Sequence, residues 1–204
     1  MKSKIIIFDK KDKVSSTPKT IINLIEEIDK GMITLPDYQR EFVWSKDEQL
    51  DFVTSAYGSG RLGSIILWDL KLYNGSTVNT RNITEKSDYS KNNKIIQKIV
   101  LDGQQRLSTL YGAITGKKIR KDGNWTNILI GFDPYEDEFL HGTKKNKSNP
   151  LWIDISNIYH DDSISDQDNF KEFWKVYAKE LIDYSEKDQE DIKDRVEHLF
   201  RFLL

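Results

Sequence analysis

Apolar residues fall at helical spacing in some stretches of this chain and in short unbroken runs in others. Ile21, Leu24, Ile25 and Ile28 make one helical stripe, which Gly31 closes. Thr17 and Pro18 stand ahead of it as a cap and a first-turn proline, which predicts that the helix starts there. Met32 to Pro36 is a short extended piece, because the proline holds Leu35 out of the helical region. Ser45 and Glu48 have the spacing of a capping box. The helix they open turns Leu50, Val53 and Tyr57 inward and ends near Gly58–Gly60. Ser64–Trp68 is a buried strand, and the polar residues 71–94 are a long loop. A strand ends at Leu101, and Gln104–Gly116 is a helix with Leu107, Leu110, Tyr111 and Ile114 on one face. Residues 127–133 and 138–141 pair as a hairpin around Pro134, and 151–155 is a further strand. Residues 170–182 and 188–204 are helices, the second capped by Ser185. Ile5–Phe8 suits a strand or a loose tail.

This alternation predicts an α/β fold (α+β, mixed sheet) over residues 1–155 and a helical C-terminal extension over 156–204. The apolar end Leu199–Leu204 suits either a truncated chain or a surface that a following domain covers. The 204 residues suffice for one good core, with 37% hydrophobic and 31% charged residues. Cysteine is absent, which excludes disulfides, thiolate metal sites and cysteine nucleophiles. The apolar runs are too short for a signal segment or a membrane span, which predicts a cytoplasmic protein. The net charge of −2 is uneven, because the last 49 residues alone carry −6 and leave a mildly basic body of +4. That balance is compatible with a nucleic-acid partner without demanding one.

Ile99–Leu110 concentrates the candidate chemistry. Asp102-Gly103 forces a turn between a strand and a helix with no linker between them. Such a turn aims free backbone N–H groups and the positive end of a helix dipole at one point, where phosphate binds well. Arg106 adds a permanent charge and a fork of donors. A strand, tight turn and helix also occur with no ligand, so a structural turn stays open. The P-loop pattern is absent.

Leu35–Trp44 is the second unusual stretch, where a proline turn presents Tyr38, Gln39 and Arg40 together. Arg40 suits a phosphate clamp, and Tyr38 and Trp44 suit stacking on a base. Core packing of the aromatics and a structural ion pair for Arg40 are the alternative.

L-P-D-Y-Q-R-E-F-V-W, a capped helix, G-S-I-I-L-W and V-L-D-G-Q-Q-R-L-S-T-L follow one another here. In that order and spacing, from about residue 20 to about residue 116, the chain resembles the N-terminal domain of the GmrSD family. These are modification-dependent restriction proteins of bacterial phage defence. The resemblance implies a ParB/sulfiredoxin-like fold that binds, and hydrolyses, a nucleoside triphosphate with Mg²⁺. It implies that Gly103, Gln104, Gln105 and Arg106 cradle phosphates, with Gln39 and Arg40 facing the same pocket. Asp102, Gln105 and Arg106 are then the catalytic candidates, and Asp102 the candidate Mg²⁺ ligand or water-orienting group.

The family's usual nuclease half is of the HNH type, and none of His141, His160 and His198 begins a recognisable arrangement of that kind. DNA cleavage is therefore not expected from these residues; a downstream nuclease domain or subunit would supply it. Lys117, Lys118 and Arg120 form a basic cluster suited to a DNA backbone, with Tyr38 and Trp44 as further DNA candidates. The expectation is a nucleotide-binding sensor that couples nucleoside triphosphate to DNA recognition. The alternative is a module that recognises modified DNA without using a nucleotide.

Overall fold

The computed structural model describes residues 3–8, 14–70, 79–85, 98–159 and 166–203. The chain runs through β1 (Ser3–Phe8), β2 (Val14–Lys19), α1 (Ile21–Asp29), β3 (Ile33–Pro36) and α2 (Lys46–Ser59). It continues through β4 (Ser64–Asp69), β5 (Thr80–Arg81), β6 (Lys98–Asp102) and α3 (Gln104–Thr115). Then follow β7 (Ile119–Lys121), β8 (Asn124–Thr126), β9 (Ile130–Asp133), β10 (Glu138–His141) and α4 (Lys144–Lys147). The last elements are β11 (Ile153–Asp154), α5 (Asp166–Tyr177) and α6 (Glu186–Leu203). The fold is mixed α/β. A six-stranded sheet has the order β2-β1-β4-β6-β3-β5, beside a three-stranded β10-β9-β11 sheet and the β7-β8 hairpin.

The pairing directions decide where a site can form. β6 runs parallel to β3 and antiparallel to β4. The C-terminal ends of β3 and β6 and the start of β4 therefore share one sheet edge. The loop after Pro36, the turn at Gly103 and the residues before Ser64 meet there.

Buried residues from α1 through α6 enter one hydrophobic cluster, from Ile21 to Leu203. Tyr57 joins α2 to the C-terminal helix, its ring 5.7 Å from Phe202 and 4.6 Å from His198. Leu199, Phe200, Phe202 and Leu203 are buried in this fold, so the apolar helix end is core and not a bare surface awaiting a domain. No described helix is long and apolar enough to cross a membrane.

Several predicted boundaries move. Thr17 and Pro18 do not start a helix; they lie in β2, paired with Ile5 and Lys4. β2 is an edge strand, where a residue without an N–H is tolerated. Thr20 caps α1 instead, its hydroxyl accepting from the Asn23 N–H at 3.2 Å. Within the predicted loop 71–94, Thr80–Arg81 pairs with β3 and Thr84 bridges Ile119; residues 71–78 and 86–94 lie outside the described residues. The strand expected over 151–155 shrinks to β11, because the Asp154 carboxylate accepts from the Ser156 N–H and hydroxyl and winds Ile155–Asn157 into a 3-10 turn. The helix expected to reach Ile182 ends at Tyr177 in a 3-10 turn over Ala178–Leu181. The Ser45 capping box and the Ser185 cap are present, the latter accepting from the Asp188 N–H at 3.2 Å.

One ion cluster ties the sheet to its first helix. Glu27 of α1 accepts from Lys19 of β2 and, at 2.9 Å, from Lys98 of β6. Burial pushes the Glu27 carboxyl up, but the two lysine hydrogen bonds outweigh it and hold the group below the usual carboxylate range. Burial drives the Lys19 ammonium below its ordinary value. Replacing Glu27 by Gln strands two largely buried ammonium groups, and we expect Glu27→Gln to cost about 2 kcal/mol in urea unfolding. The carboxylate's contribution is complete above the ordinary carboxylate range and is lost as pH falls through the lowered folded value. The gap between the two proteins should accordingly close in acid; a gap that stays constant with pH would assign the loss to something other than the charge.

Candidate functional site

Gly103 carries the chain from β6 into α3 at φ +88°, a conformation that a side chain would strain. No side chain caps the helix, and its first turn holds no acidic residue. The first N–H groups of α3 are thus left without a side-chain cap, and the turn that carries them lines a cleft of about 330 Å³. Asp102 to Arg106 line it from the turn, and Gln39, Arg40 and Trp44 line it from the loop after β3. The two stretches singled out in the sequence, 61 to 64 residues apart at their hydrogen bonds, form one site.

Three glutamines make that juxtaposition. Gln39 Nε2 donates to the carbonyls of Val100 and Leu101, at 2.8 and 3.0 Å, and fastens the loop to the end of β6. Gln104 Nε2 donates to the Arg40 carbonyl at 2.9 Å. Gln105 Oε1 accepts from the Val43 and Trp44 N–H groups at 2.9 and 3.3 Å, while its Nε2 donates to the Glu41 carbonyl at 3.2 Å. Residues 40–45 belong to no helix or strand, so these side chains supply the partners that secondary structure would otherwise give. Gln104 and Gln105 thus bring backbone N–H groups to the cleft while their amides hold the loop.

The charges divide into paired and unpaired. Arg106 Nη2 donates to the Asp102 carboxylate at 3.2 Å, a carboxylate whose side chain is 65% exposed at the cleft mouth. The Arg40 guanidinium makes no hydrogen bond or ion pair among the described residues; only its backbone carbonyl is engaged, by Gln104 and Arg81. Trp44 packs on Phe52 with ring centroids 5.4 Å apart and keeps a face on the cleft. Tyr38, 74% exposed, is on the same turn as Arg40 but does not line the cleft.

The basic cluster is committed internally. Lys117 pairs with Asp29 at 2.7 Å, Lys118 lies 3.8 Å from Glu85, and Arg120 pairs with Glu41 at 2.8 Å. None of these three lines the cleft. Glu41 also accepts from the Gly123 N–H at 2.6 Å, which with Arg120 holds its carboxyl below the usual range. It thereby straps the β7–β8 hairpin to the loop, a role that sequence reading missed although Asp122-Gly123, both at positive φ, is a strong hairpin turn. Gly63, beside the Arg106 guanidinium, was also missed. His141 contacts the Lys46 carbonyl at 2.8 Å and His198 packs on Tyr57; His160 lies outside the described residues. Among the described residues no group of three or more His, Asp or Glu is placed to hold a metal ion.

The architecture is that of a mixed α/β domain whose strand–glycine–helix turn at Gly103 faces a clamped, arginine-bearing loop. The chain belongs to the family described as the N-terminal domain of GmrSD restriction endonuclease, which matches residues 21–204. It is also similar to an uncharacterized protein of Methanocaldococcus jannaschii, 29% identical over 106 residues, or 50% of this chain and 18% of that protein. The chain spans less than a fifth of that relative's length.

If the Gln105 amide holds the loop, Gln105→Ala should cost about 1–2 kcal/mol and speed amide exchange at Val43 and Trp44. Gln105→Glu, which keeps an acceptor, should retain protection there. Unchanged exchange in the alanine variant, followed by NMR, would mean that the loop is held otherwise.

Proposed function

We propose that this domain is the nucleotide-binding sensor of a restriction protein of phage defence: it takes a nucleoside triphosphate with Mg²⁺ and couples its occupancy to DNA recognition and to a nuclease domain or subunit. The observation that carries this reading is one cleft lined by the uncapped start of α3, by Arg106, and by Arg40, whose guanidinium has no partner among the described residues. Backbone donors and two forked cations suit a phosphate chain better than they suit a neutral ligand. Membership of the restriction family supports the setting.

Asp102 is the carboxylate that lines the cleft, and its exposure leaves an oxygen available for a hard cation. One protein carboxylate, with phosphate oxygens and waters, fits the way Mg²⁺ is usually held. Bound there with nucleotide, the ion would neutralise phosphate charge and polarise the terminal group. Arg106 and Arg40 would bind phosphate oxygens and stabilise charge as it develops. Gln105 contributes by fixing Trp44 and the loop, with its N–H directed at the phosphates. With its amide engaged and no P-loop lysine in the chain, hydrolysis should be slow.

Calorimetric titration of ATP, GTP, CTP and UTP with Mg²⁺, with phosphate release followed in parallel, tests the proposal. At least one nucleotide should bind, and Arg106→Ala should weaken it by roughly ten- to a hundredfold while the fold persists. No binding of any nucleotide by the intact chain would overturn it. The exposed Tyr38, on the same turn as Arg40, favours a second reading, in which that turn grips modified DNA directly. DNA binding that needs no nucleotide and is lost in Arg40→Ala would select that reading.

A further inference from the structure

The Arg106 side chain is seated between two glycines. A Cβ on Gly63 would stand 2.1 Å from Arg106 Nη1, 3.4 Å from Cζ and 3.9 Å from Cδ, so the guanidinium lies directly on the Gly63 backbone. A Cβ on Gly103 would stand 3.4 Å from Nη2. Nη2 is the nitrogen bonded to Asp102. The topology explains the meeting: the β4–β6 pairing sets Ile66 opposite Asp102, which brings Gly63, just ahead of β4, alongside the first turn of α3. Gly63 itself stands at φ +73°.

We propose that Gly63 is a positioning residue of the cleft: the side chain it lacks is the space in which the Arg106 guanidinium is held toward the phosphate site. The part of this that concerns ligand affinity rests on the nucleotide reading above; the seating of Arg106 does not. A contact of 2.1 Å forces a shift, and the far end of a flexible side chain is what gives way most easily, so a residue larger than glycine moves the guanidinium from its place beside Asp102. Arg106 has no other ion partner among the described residues to hold it in place.

The backbone strain of a non-glycine residue at positive φ is a separate effect, and a double-mutant cycle removes it. Gly63→Ala, Arg106→Ala and the double variant are compared in the full 204-residue chain. Strain alone makes Gly63→Ala equally costly in both backgrounds. Seating of Arg106 makes Gly63→Ala weaken Mg²⁺-nucleotide binding by at least about tenfold in the native background and leave it unchanged once Arg106 is gone. The ligand-free readout is the Arg106 Nε–H resonance, assigned by its loss in Arg106→Ala, which should shift in Gly63→Ala. If no nucleotide binds even the native chain, the nucleotide reading fails and this resonance alone decides the seating. An unshifted Arg106 resonance, or equal effects of Gly63→Ala in both backgrounds, would overturn the proposal.

Discussion

The chain passes from β6 into α3 through a single residue, Gly103, and no space remains for a capping side chain. That constraint orders what surrounds it. Consecutive residues on a helix are about 100° apart, so the first three side chains of α3 leave in three directions. Gln104 turns inward to the Arg40 carbonyl, Gln105 reaches the backbone of Val43 and Trp44, and Arg106 lies back over Gly63. The backbone donors that a cap would have consumed belong to residues that line the cleft. A residue that could cap the helix would remove the feature that makes the turn chemically useful.

Charge is distributed by the same economy. The conspicuous cations between Lys117 and Arg120 are ion-paired to Asp29, Glu85 and Glu41, and so fasten strands and loops to one another. Arg40, which sits in no cluster along the sequence, lines the cleft with a guanidinium that makes no hydrogen bond or ion pair among the described residues. A run of like charge is thus a poor guide to an electrostatic site in this fold. The neighbours supplied by distant segments decide which cations are neutralised.

Most of the fold was legible because its elements carry local signals: the Ser45 box, the stripe on α1, the Gly103 turn and the apolar run of β4 all appear as read. Errors fell where two local readings compete, as at Thr17-Pro18, where a cap-and-proline pattern belongs to an edge strand and Thr20 does the capping. The site was half legible. Its two stretches could be named, and the structure brings Gln39, Arg40 and Trp44 to the Asp102–Arg106 turn. The amide bonds of the three glutamines could not be read, because each partner lies some sixty residues away and is a backbone group with no signature in the sequence. The seat at Gly63 was hidden for the same reason, since it depends on the β4–β6 register.

The central place of β6 has a kinetic consequence. It lies between β3 and β4, both of which precede it in the chain by some thirty residues or more. Until it inserts, those two strands share no neighbour, and neither the turn nor the loop has anything to close against. During synthesis the first hundred residues therefore hold an open sheet with unpaired edges, a species prone to sticking to others of its kind. Closure must bring together segments far apart in sequence, which is slow. The pocket is completed by the same step that seals the sheet, so a chain that has not finished folding offers it to no ligand.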